Sequence, residues 1–256
     1  MTPRRTVVAT AFTFLTRLPL SRFASGDPEV MARATLLFPV VGLVIGSIVG
    51  LVFIGAEALM PLPLAVLATL VVGILLTGGF HEDGLADVAD STGAFGREAK
   101  LEIMRDSRIG TYGALALILL IVARLLLLSE LGWSSWGVVL GALIAAHALA
   151  RWSSVALMAW LPYARAEAAN KTIAQGVTAS GAVIASGFAL GSVLIAALMG
   201  GPLLLVSVPV AMVAALLAGW WFKNSFGGIT GDCLGATNVV VEVAVLSSVV
   251  ILSAHV

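Results

Sequence analysis

Residues 61–77 read PLPLAVLATLVVGILLT, and residues 78–90 read GGFHEDGLADVAD. The first stretch is seventeen residues without a charge. The second carries His81 and four carboxylates, Glu82, Asp83, Asp87 and Asp90. A helix of about 17–25 apolar residues is long enough to cross a bilayer. The paired glycines mark where such a helix stops, and the acids follow at once. Only 11% of the chain is charged, so this crowding calls for an explanation.

The surroundings support a membrane reading. The chain has 256 residues, 60% of them hydrophobic, and a mean hydropathy of +1.08. Soluble domains are nearer about 45–50% apolar and about 25% charged. Apolar runs at 34–59, 62–79, 110–131, 136–160, 177–199, 202–222 and 233–254 give seven candidate spans. The expectation is an all-α, polytopic integral membrane protein, one domain over 1–256. The N-terminal segment 1–33 reads as an interfacial helix rather than a cleaved leader, because Arg17 and Arg22 interrupt its apolar run.

Charge then sets the orientation. The segments 1–33, 80–109, 161–176 and 223–232 hold twelve of the fourteen Lys and Arg residues. They alternate with short turns near Met60–Leu62, Gly132–Ser135 and Gly200–Pro202 that contain none. The positive-inside rule places the basic segments, the N-terminus and the acidic loop in the cytoplasm, and the C-terminus outside. Zero net charge excludes a nucleic-acid footprint, and the single Cys233 excludes an internal disulfide. Small residues four apart in GLVIGSIVG (42–50) and GAVIASGFALG (181–191) suit close helix contact.

On a helix, Asp83, Asp87 and Asp90 share one face. Three like charges there repel unless a cation joins them, and an all-oxygen set suits Mg²⁺ or Mn²⁺, which also share the phosphate oxygens of a substrate. Arg97, Lys100, Arg105 and Arg108 follow closely, and Arg forks match phosphate. Acids for a metal and bases for phosphate make up a phosphoryl-transfer site. A second polar island, NSFGGITGDCLGA (224–236), brings Asp232 to the start of the last span. Glu242 lies roughly 15 Å further in by helix rise. Arg151 is placed to face the same cavity. Arg124 is expected to pair with Glu130 or Glu57, and His147 reads as a packed helix contact. One shared site requires Asp232 close to Asp83 and Asp87, with spans two and seven as neighbours.

Intramembrane prenyltransferases and CDP-alcohol phosphotransferases share this metal logic, and a rival from a different class is a transporter whose midplane acids carry ions or protons. The motifs GGFHEDGLADVAD, LEIMRDSRIGTYG (101–113), LPYAR (161–165) and GGITGDCLGA (227–236), with FLTRLPL and FPVVGLVIG near the N-terminus, resemble the cobalamin synthase family over nearly the whole length. The resemblance implies Mg²⁺ and the joining of adenosylcobinamide-GDP to α-ribazole, or its 5′-phosphate, with release of GMP. It implies catalytic roles for His81, Asp83, Asp87, Asp90 and Asp106, and metal ligation by Asp83, Asp87, Asp90 and Asp232. It implies substrate binding by Arg105, Ser107, Arg108, Gly110, Arg151, Arg165, Gly231, Asp232 and Glu242. Two positions depart from the family pattern: Glu82 stands where an apolar residue is common, and Val239 where a Glu is. A bacterial inner-membrane location, contact with lipid and a homo-oligomeric state are compatible expectations.

Overall fold

A computed structural model describes residues 4–165 and 176–253, which leaves Lys171 outside the described part. The described residues form helices and turns, with one isolated backbone bridge between Tyr163 and Ile229. The N-terminal segment holds α1 (Arg4–Leu15), a 3-10 turn (Ser21–Phe23) and α2 (Pro28–Thr35). The carboxylate of Asp27 accepts from the Glu29 amide and starts α2, with Pro28 at its first position. Then come α3 (Phe38–Glu57), α4 (Leu62–Thr77), α5 (Phe80–Ser91), α6 (Arg97–Ile103), α7 (Thr111–Leu131) and α8 (Trp136–Trp160). The chain ends with α9 (Ala179–Gly200), a 3-10 turn (Pro202–Val206) leading into α10 (Ser207–Phe226), and α11 (Gly231–Ser253).

Six of these stretches are long and apolar enough to cross a bilayer: α3, α7, α8, α9, Pro202–Phe226 and α11. The expected span over 62–79 is not a straight one. α4 ends at Thr77, and the chain turns by 88° into α5. Gly78 and Gly79 make the turn with φ of 73° and 69°, a left-handed backbone that glycine adopts without a Cβ penalty. The Arg17 side chain fills the space where a Gly78 side chain would stand, and the Arg17 amide donates to Leu76 O at 2.8 Å. The N-terminal segment therefore braces the bend. The segment 80–109, read as a loop, is largely helical.

α8 is the central helix and is buried along nearly its whole length. α3 packs along it through Gly42 and Gly46, whose faces lie directly against the backbone carbonyls of His147 and Leu143. That is the close contact expected of the 42–50 stripe. On the other side, Gly141 of α8 lies against Ala196 O of α9. In the 181–191 stretch the contact runs through Ala185 and Ala189, which are buried, while Gly187 and Gly191 face open space. Leu115, Leu119 and Leu126 of α7, Leu198 of α9 and Leu217 of α10 point outward and are exposed. Such apolar faces are unusual on a soluble monomer and ordinary against lipid.

Candidate active site

The acidic helix α5 lies between α7 and α11. Its mid-point, Gly84, fits against the start of α11: a Cβ there would fall 2.7 Å from Asp232 O. Any side chain would push the two helices apart, so the motif glycine fixes the spacing of the acids. Asp83 is exposed and Asp87 half-buried. Asp87 lies within electrostatic range of Asp232, Asp83 and Asp90, with Arg165 as the opposing charge. The two islands, about 150 residues apart in sequence, thus form one cluster. Its bridge to α11 is α5, the continuation of the second span after the bend.

Asp90 has a further task. Its two carboxylate oxygens accept from the amides of Gly110 at 2.7 Å and Gly113 at 2.8 Å. These are amides of the first turn of α7, which has no side-chain cap of its own. Asp90 therefore ties α5 to the start of α7, as a capping carboxylate supplied from another helix.

The other motifs gather at the same end. Leu161–Arg165, after α8, runs beside the loop before α11: Ala164 N donates to Ile229 O at 2.8 Å, and Ile229 N to Pro162 O at 2.9 Å. This pairing sets Arg165 3.3 Å from the Asp232 carboxylate. The buried Thr230 hydroxyl donates to the same oxygen at 3.2 Å. Arg97 reaches over from α6 to the Ala164 carbonyl at 3.0 Å. In the loop after α6, Arg105, Ser107 and Arg108 are exposed. Arg108 folds back on Asp106, donating from its backbone amide at 3.0 Å and from its guanidinium. Those bonds hold the Asp106 carboxyl down at about 2, so Asp106 is ionised throughout the neutral range. It borders an open groove with Asp90, Arg108 and Gly110.

Deeper in the bundle lies a second charged cluster. Arg124 of α7 donates to Glu82 at 2.6 Å and has its Nε 2.8 Å from Glu242 of α11. The expected pairing of Arg124 with Glu130 or Glu57 is corrected. The bend at Gly78–Gly79 carries Glu82 into the bundle, where it reaches Arg124 first. His147 Nδ1 and Arg151 Nη1, both from α8, stand 3.5 Å and 3.9 Å from the other Glu242 oxygen and 2.9 Å from each other. All five side chains are buried or nearly so. Ionisable groups at such depth persist when they are paired, and this set joins α5, α7, α8 and α11.

A family model described as cobalamin-5-phosphate synthase matches residues 7–250. The chain belongs to that family. Among similar proteins, the adenosylcobinamide-GDP ribazoletransferase of Shewanella amazonensis is 39% identical over 238 residues, covering 92% of this chain and 91% of the relative. The protein of the same name from Escherichia coli K12 is 41% identical over 226 residues, covering 87% and 90%. No solved structure matches.

Within this family frame, the donor set can be tested for a cation. Among the described residues no three His, Cys, Asp or Glu side chains form a ready-made cage. Mg²⁺ does not require one, because it commonly takes one or two carboxylates plus waters and substrate phosphates. Asp83, Asp87 and Asp232 fit that pattern: they are oxygen donors at one end of the bundle, with the Arg165 guanidinium beside Asp232. Asp90 fits less well, since both of its oxygens serve the start of α7. Sequence reasoning missed Thr230, whose hydroxyl holds Asp232; it read Arg97 as a base for phosphate and missed its bond to the Ala164 carbonyl, 67 residues away. It also missed the partnership of Glu82 with Arg124. Glu82 stood out only as a departure from the family pattern, with no partner assigned to it.

Proposed function

We propose that this chain is an adenosylcobinamide-GDP ribazoletransferase of the bacterial inner membrane, with its site on the cytoplasmic side. The observation that carries the reading is the meeting of Asp83, Asp87, Asp232 and Arg165 at one end of the bundle, built from the motifs of α5, α11 and Leu161–Arg165. In the reaction, a ribose hydroxyl of α-ribazole, or of its 5′-phosphate, forms a bond to the phosphorus that carries the aminopropanol arm of adenosylcobinamide-GDP. The bond from that phosphorus to the bridging oxygen breaks, and GMP leaves with that oxygen. The hydroxyl proton passes to a base.

Asp83, Asp87 and Asp232 are the residues that would hold Mg²⁺, or Mn²⁺ in its place. When bound, the ion supplies charge neutralisation on the diphosphate. Arg165 is placed to hold a phosphate oxygen beside it; Arg108 borders the open groove that Asp90 also lines, and the exposed Arg105 is a further candidate for phosphate. Asp106 is engaged by Arg108, so the proton acceptor is sought elsewhere. His81 or an acid of α5 takes that role. Arg151 and Glu242 act from below, through the ion cluster that holds α5 against its neighbours. The outward leucines face lipid, and a homo-oligomer is compatible with them.

The direct test is product formation by purified protein. GMP and a cobamide should appear together only when both the corrinoid and α-ribazole are supplied. GMP released without α-ribazole would mark a hydrolase and sink the reading. Sidedness has its own test: Phe95 is 98% exposed and the native Cys233 is buried. A Phe95→Cys variant should resist impermeant thiol reagents added outside the cell, and labelling from outside would reverse the orientation.

A further inference from the structure

Beside the acid cluster, a narrow cleft opens between α1, α3, α5, α8 and α11. Its walls are largely aromatic and aliphatic: Phe14, Phe80, Met158 and Leu234. Phe14 organises the aromatic side, stacked on Phe38 at 5.6 Å and edge-on to Phe80 at 5.7 Å between ring centroids. Two polar residues line the same space, His81 and Asn238, each 3% exposed. His81 Nε2 and Asn238 Oδ1 are both buried without a hydrogen-bond partner among the described residues. The Asn238 amide is not free to turn over. Its nitrogen donates to the Leu234 carbonyl at 2.9 Å and to the Ser154 hydroxyl, and a carbonyl accepts only. The oxygen is therefore the atom left over. Buried polar atoms are nearly always satisfied, so two unmatched polar atoms lining one cleft point to a group that enters from outside the protein.

We propose that this cleft is the subsite for the acceptor nucleoside, taking its flat heteroaromatic base between the aromatic walls and a ribose hydroxyl at Asn238. The proposal rests on the transferase reading given above. Aromatic rings bind a planar benzimidazole by stacking or edge contact. Its sugar brings the O–H donor that Asn238 Oδ1 lacks, and His81 Nε2 is available to a ring nitrogen or a second hydroxyl. A lipid chain brings no donor and would leave both atoms unmatched. The location suits transfer as well. Gly231 and Tyr163 border the cleft; the first precedes Asp232, and the second stands two residues before Arg165, so the cleft adjoins the acid cluster.

The test is equilibrium dialysis of radiolabelled α-ribazole, without the corrinoid, against wild type, Asn238→Leu and Met158→Phe. Asn238→Leu removes the acceptor at similar size, and Met158→Phe narrows the cleft while leaving every polar group in place. Each should weaken nucleoside binding about tenfold, the effect of losing one hydrogen bond or a well-fitted wall. In steady-state assays the KM for α-ribazole should rise by a similar factor while the KM for adenosylcobinamide-GDP stays within about twofold. Met158→Phe should also favour a nucleoside of unmethylated benzimidazole over the dimethylated one. Unchanged α-ribazole binding in both variants, or equal increases in both KM values, would overturn the subsite. Failure of wild type to release GMP from the two substrates together would instead count against the transferase reading, and the dialysis would still decide the cleft.

Discussion

Two groups of carboxylates in this molecule meet opposite fates. Glu82 and Glu242 face inward and are matched by Arg124, His147 and Arg151. Asp83, Asp87 and Asp232 face the open end, with Arg165 as the nearby cation. α5 contributes to both sets from neighbouring positions, because Glu82 and Asp83 leave the helix about 100° apart. The matched cluster needs nothing from outside and serves to hold helices. The open one brings like charges together with a single nearby guanidinium, which suits the proposed role of holding a metal-linked diphosphate. Charge balance, more than the count of acids, separates structure from chemistry here.

The contrast can be broken at either end. The largest effect is expected in the buried set. Arg124→Met removes the one side chain that touches both Glu82 and Glu242, leaving two buried carboxylates short of their partner. A loss of about 3–5 kcal/mol is typical for breaking a buried pair on one side. Thermal unfolding in detergent should show a large fall in midpoint, and an unchanged midpoint would mean that the cluster holds nothing together. In the open set the effect should fall on rate. Asp87→Asn keeps the shape and removes a charge, so turnover should drop by at least about 100-fold, the scale of one strong transition-state stabiliser. The same variant should unfold no earlier than wild type, because it relieves repulsion. Near-normal turnover at saturating metal would remove Asp87 from the site. The smallest effect concerns Asp106. Its carboxyl titrates near 2, so between pH 5 and 9 it contributes no ionisation of its own. Asp106→Asn should lower activity modestly by loosening the Arg108 loop, with the shape of the pH–rate curve retained. Loss of a limb of that curve would make Asp106 the base after all.

Much of this was legible in the sequence, for physical reasons. The span 136–160 coincides with α8, since a long, largely apolar run without Pro is bounded by Ser135 and Leu161–Pro162. The cluster of Asp83, Asp87 and Asp232 was reachable because glycine-rich, acid-bearing segments are rare in so apolar a chain. The bend after Thr77 was not: paired glycines read as a stop, and nothing local says that the next helix turns by 88° and re-enters the packing. Without the bend, Glu82 stays with the motif, and Arg124 is left to choose between Glu57 and Glu130. The capping role of Asp90 was hidden for a related reason. Its partners Gly110 and Gly113 lie more than 20 positions away, and spacing along α5 shows only that three acids share a face.

The central claim is that the open acids work through a divalent cation and the buried ones do not. It is tested most directly by following GMP release, with both substrates present, as a function of Mg²⁺ for wild type, Asp83→Asn and Glu242→Gln. Chelation should abolish release in all three. Asp83→Asn should raise the Mg²⁺ concentration for half-maximal rate by about tenfold or more, the effect of removing one carboxylate ligand. Glu242→Gln should lose stability while keeping the wild-type Mg²⁺ requirement. Release that resists chelation, or an Asp83→Asn curve that overlays wild type while Glu242→Gln shifts, would contradict the account.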